Sequence, residues 1–228
     1  MREEVAHDGA VELHAVAEIF IQPAGAGRVI RPVDEQRLAD NPKDHKLKPY
    51  FHWIQGGVDF IYLDNATPEQ FEPDQVGWFE SVLKRATANP EVRAVVVGMH
   101  AALPDSLAAG HSMSDYPAGT QSGRQVYTDL LKFNKDTQKK VYILASHSHF
   151  YMSDLFDSDY WNAHGGVLPG WIVGTAGAMR YHAEVPRPLP AIADVELLRL
   201  LRRAWDSLAT DAPERHRRLA ASSERAEL

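Results

Sequence analysis

The chain has 228 residues, 44% apolar and 24% charged, the composition of a folded globular protein with room for a sizeable core. A net charge of −7 at pH 7 excludes partners held by bulk positive charge, so neither nucleic acid nor an anionic membrane surface is expected. There is no cysteine, which excludes disulfides, zinc–thiolate sites, iron–sulfur clusters and thiol catalysis, and leaves any metal to the 11 histidines with Asp, Glu or Asn.

The chain divides into an N-terminal segment (1–48), a central part (49–185) and a C-terminal helix with a charged tail (186–228). Met1 to Asp8 contains no apolar stretch of the kind a secretory signal needs, and no apolar run is long enough to span a bilayer. The compartment is left open, with the cytoplasm as the default. Val11 to Ile21 reads as a helix with Val16, Ile19 and Phe20 on one face, ended by Pro23 and the Gly25–Gly27 stretch. Tyr50 to Ile54 and Val58 to Leu63 are β-like runs around Gln55-Gly56-Gly57, a hairpin pattern. An amphipathic helix starts near Asp74, with Val76, Phe79, Val82 and Leu83 as its buried face, and Asn89-Pro90 closes it.

Val92 to Val97 is a β-branched apolar run that leads into Gly98-Met99-His100. Residues 101–120 read as a loop, and a helix follows from about Ser122 to Gln138 with Val126, Leu130 and Phe133 as its apolar stripe. Val141 to Ala145 is a short buried strand that runs into Ser146-His147-Ser148-His149. Residues 151–169 read as a long functional loop. Trp171 to Gly177 reads as a last strand, and Val195 to Leu208 as a helix with Leu197, Leu201, Trp205 and Leu208 on one face. This alternation predicts an α/β layered domain with its chemistry at strand ends.

Three histidines stand at two such ends. In an extended chain His147 and His149 project to the same side, since side chains alternate with a period of two. His100 precedes them by one helical crossover, which sets the two strands close together. Imidazoles grouped in this way suit a metal ion; surface histidines are the alternative.

The order strand–Gly98-Met99-His100, then strand–Ser146-His147-Ser148-His149, resembles the last two motif blocks of the calcineurin-like metallophosphoesterases, a lone His after a strand and then G-H-x-H. The similarity extends over roughly residues 48–182. It implies a sandwich of two β-sheets flanked by helices, with two metal ions between them. Carried over by position, His100 and His147 bind one metal and His149 the other, with Ser146 in the place of the family's Gly. The implied activity is attack of a metal-bridging hydroxide on a phosphate ester, with Mn, Fe or Zn as the metal and a small phosphate ester or a phosphoprotein as substrate.

No D-x-H or G-D-x-x-D block precedes the region of resemblance. The nearest approach to the third block is Val5-Ala6-His7-Asp8, which would make His7 the histidine that steadies the phosphoryl oxygen or leaving group. The resemblance thus implies the C-terminal portion of a phosphoesterase domain, incomplete on its N-terminal side, with a partly formed dimetal site. An exposed sheet edge would then favour self-association. The alternative is a non-catalytic α/β module for binding or oligomer contacts. A mononuclear site built on His100, His147 and His149 is a third reading. His14, His45, His52, His111, His164 and His216 read as surface or packing residues, and His182 as a group behind the ligands.

Overall fold

In a computed structural model, residues 48–174 are described apart from 68 and 109–111, together with 36, 38, 39 and the helix at 195–211. The expected helix at Val11–Ile21, the end of the Trp171–Gly177 run, and His7, His14, His45, His111, His182 and His216 lie outside the described residues.

The fold is mixed α/β, with one six-stranded sheet and helices packed on it. β1 (Phe51–Gln55) and β2 (Val58–Leu63) form the expected antiparallel hairpin, turning through Gly56 and Gly57, both at positive φ. Helix α1 (Pro73–Ala88) leads to β3 (Ala94–Met99), and α2 (Pro117–Thr137) leads to β4 (Lys140–Ala145). β2, β3 and β4 are parallel neighbours, so each crossover helix returns the chain to the next strand. β5 (Tyr151–Met152), α3 (Asp159–Ala163) and β6 (Gly170–Val173) follow, and the sheet order is β1-β2-β3-β4-β6-β5. Helix α4 (Val195–Asp211) ends the described chain. Among the described residues no helix is long and apolar enough to cross a membrane.

Both faces of the central strands are apolar, as expected for parallel strands covered on each side. Ile61, Leu63, Val95, Val97, Ile143 and Ile172 face a core closed by Phe79, Val82 and Leu83 of α1 and Val126, Tyr127 and Leu130 of α2. The alternate residues Val58, Phe60, Val96, Tyr142, Leu144 and Trp171 form a second core, to which α4 contributes Leu200, Leu201 and Ala204. Gln55 ties α4 to the hairpin by donating from Nε2 to Ser207 Oγ at 2.7 Å. At the C-terminus of α1, Lys139 Nζ donates to the carbonyls of Ala86, Thr87 and Asn89, satisfying acceptors that the helix itself leaves open.

Two expectations need correction. The two-sheet sandwich implied by the family resemblance is not what the described residues form: they build one sheet. The helix expected from Ser122 begins at Pro117, inside the stretch read as loop. Pro117 suits a first helical turn. Gly123 reads as a breaker but serves a close contact, since a Cβ there would stand 2.4 Å from Pro104 Cδ. The long 151–169 loop also holds the short elements β5 and α3.

Between α1 and α2, Asp129 Oδ2 is shut off from solvent and finds no hydrogen-bond partner among the described residues. Burial, and next the charge of Glu80, push the Asp129 carboxyl from 3.8 up to about 6, with Lys132 opposing. A carboxyl whose pKa is raised by folding favours the folded state below its unfolded value, and that contribution is lost as pH rises toward the folded value. Asp129→Asn is therefore expected to be more stable than the wild type at pH 7.5, with the gap closing toward pH 4. Urea denaturation at several pH values reads this, and a gap independent of pH would refute the assignment.

Candidate functional site

The carboxyl ends of β2, β3 and β4 lie side by side, because Leu63 pairs with Met99 and Met99 with Ala145. One residue further on stand Asp64, His100 and Ser146, and His147 and His149 follow in the loop after β4. The βα unit thus brings together residues that are 47 positions apart in sequence. His147 Nδ1 lies 2.6 Å from His100 Nε2, with the ring centroids 4.5 Å apart and the planes at 68°. Both rings are half-buried, as is His149.

Backbone contacts hold this pair. The His100 carbonyl accepts from the amides of Ser146 at 3.0 Å and His147 at 2.7 Å, joining the end of β3 to the loop after β4. Asn65 is 1% exposed, and its Oδ1 accepts from the amides of His100 and Ala101, each at 2.9 Å. Its Nδ2 donates to the Ala101 carbonyl at 2.8 Å and touches Met113 Sδ at 3.3 Å. Gly174, at the end of β6, lies against the same loop, and a Cβ there would stand 1.9 Å from Ser148 O and 2.4 Å from Ser146 O. Gln75 of α1 fixes the Asp64 peptide from both sides, accepting from its amide at 2.6 Å and donating to its carbonyl at 2.8 Å.

Burial pushes the His100 pKa down, and the charge of His147 adds to this; Asp64 opposes and His149 acts weakly in the same sense as His147. His100 is therefore chiefly neutral at pH 7, the form that accepts a proton or binds a metal. The donor types suit a divalent transition metal, since two imidazole nitrogens lie together with a third imidazole and a carboxylate in electrostatic reach. The present N···N distance is a hydrogen-bond length, and among the described residues no three His, Asp or Glu side chains are gathered closely enough to hold an ion. Metal–nitrogen bonds of about 2.0–2.1 Å place two ligand nitrogens farther apart than this, so the rings must open by some tenths of an ångström.

Sequence reasoning located His100, His147 and His149 at the strand ends, and the structure puts the first two in contact. It read His52 as a surface or packing residue, and His52 is buried with Nδ1 2.8 Å from Asp59 Oδ1. It missed Asn65 and Gly174. Asn65 is recognisable only as a polar residue directly after a buried strand, and Gly174 only as a small residue at a strand end.

No family model matches the chain, and no curated protein matches it. Solved structures that match in part include an enoyl-CoA hydratase/isomerase from Acinetobacter baumannii, 26% identical over 43% of this chain and 40% of that one, with a TM-score of 0.28. An enoyl-CoA hydratase/isomerase family protein from Silicibacter pomeroyi is 14% identical over 41% of this chain and 40% of its own, with a TM-score of 0.26. HypX from Aquifex aeolicus, solved with tetrahydrofolic acid, is 13% identical over 44% of this chain and 19% of its own, with a TM-score of 0.30. The chain spans about two fifths of the length of the first two. These likenesses are partial and shallow, and assign no activity to it.

The family expected from the motif order is corrected by the absence of any matching family model and by the sheet. No metallophosphoesterase model matches, and the described strands make one sheet where the family has a two-sheet sandwich. The physical reason is the brevity of the signal. A lone His after one strand and His-x-His after the next are what any parallel sheet with polar strand ends can present. Phosphate-ester hydrolysis is withdrawn with the family.

Proposed function

We propose that the chain is a metal-binding α/β domain that holds one divalent transition-metal ion at the carboxyl ends of β3 and β4, through His100, His147 and His149. The observation that carries this reading is the convergence of His147 Nδ1 and His100 Nε2 to 2.6 Å on two strand ends clamped together by the His100 carbonyl. Mn, Fe and Zn all accept imidazole nitrogen. The ion, when bound, supplies a Lewis acid. The chain's own part is to hold both imidazoles on a fixed backbone and to keep His100 unprotonated at neutral pH.

Isothermal titration of the full chain with Zn²⁺ and with Mn²⁺ tests this. One site per chain is expected for at least one of the two ions, with affinity falling by about 10- to 100-fold in His147→Ala and in His100→Ala. Equal affinity in the wild type and both variants would overturn it. The same short distance favours a second reading, an imidazole pair sharing one proton and acting as general acid and base without a metal. Nitrogen-15 shifts of the ring atoms in metal-free protein separate the two, since proton sharing couples the His100 and His147 resonances through one titration.

A further inference from the structure

We draw no further inference here: the strongest candidate, the band of half-buried aromatic side chains Phe51, Tyr62 and Tyr151 packed against the second core on the α4 side of the sheet, is an apolar face of which nothing among the described residues shows what covers it.

Discussion

Gly174→Ala is expected to melt about 6–12 °C below the wild type, the equivalent of roughly 3 kcal/mol in a chain of this size. The added methyl group would stand 1.9 Å from the Ser148 carbonyl oxygen and 2.4 Å from that of Ser146. Both obstacles are backbone atoms, so no side-chain rotation relieves the clash. Either β6 moves away from β4, breaking the pairing of Leu144 with Trp171 and of Ala145 with Ile172, or the loop carrying His147 and His149 shifts. The second course separates His147 from His100 and, on the metal-binding reading, removes any stabilisation by Zn²⁺. Differential scanning calorimetry with and without Zn²⁺ reads both consequences. A melting temperature within about 1 °C of the wild type would show that the loop packs less tightly than these distances state.

Asn65→Leu is expected to be of similar or greater consequence. The substitution keeps the number and branching of the side-chain heavy atoms, adds bulk, and removes two acceptor contacts to the amides of His100 and Ala101 and one donor contact to the Ala101 carbonyl. Asn65 and Ala101 are almost fully buried, so water does not replace the lost partners. At about 1–3 kcal/mol for each buried group left unsatisfied, the expected loss is roughly 4 kcal/mol. Urea denaturation measures it. Asn65→Asp keeps the acceptor oxygen and forfeits the donor, so it should fall between the wild type and Asn65→Leu. A loss below about 1 kcal/mol in Asn65→Leu would show that the end of β3 is held by other contacts.

The sheet was legible where the sequence announces itself locally. Val95 to Val97 and Val141 to Ala145 are apolar on both faces, and the Gly56-Gly57 pair marks the hairpin. The helix 73–88 shows its buried face at Val76, Phe79, Val82 and Leu83. The start of the next helix was hidden, because Gly119, Ser122 and Gly123 suit a loop while Gly123 in fact admits Pro104. β5 is two residues long and exists only through pairing with β6. The His100–His147 pair was legible from strand ends alone. Its supports were not, since Asn65 and Gln75 act through bonds to the backbone and Gly174 through the absence of a side chain. The family was misjudged for a related reason: a motif of three histidines records which strand ends meet, and says little about the architecture around them.

The His100 carbonyl, bonded by two amides of a different loop, has a consequence for selectivity. Two strand ends joined at one oxygen atom act as a single jaw with no hinge between its halves. While those two bonds hold, the span between the imidazoles changes through four side-chain torsions, two in each histidine. If the pair holds an ion as proposed, a jaw of this kind would grade its guests by radius, admitting small ions at less cost than large ones that a pliant loop would stretch to receive.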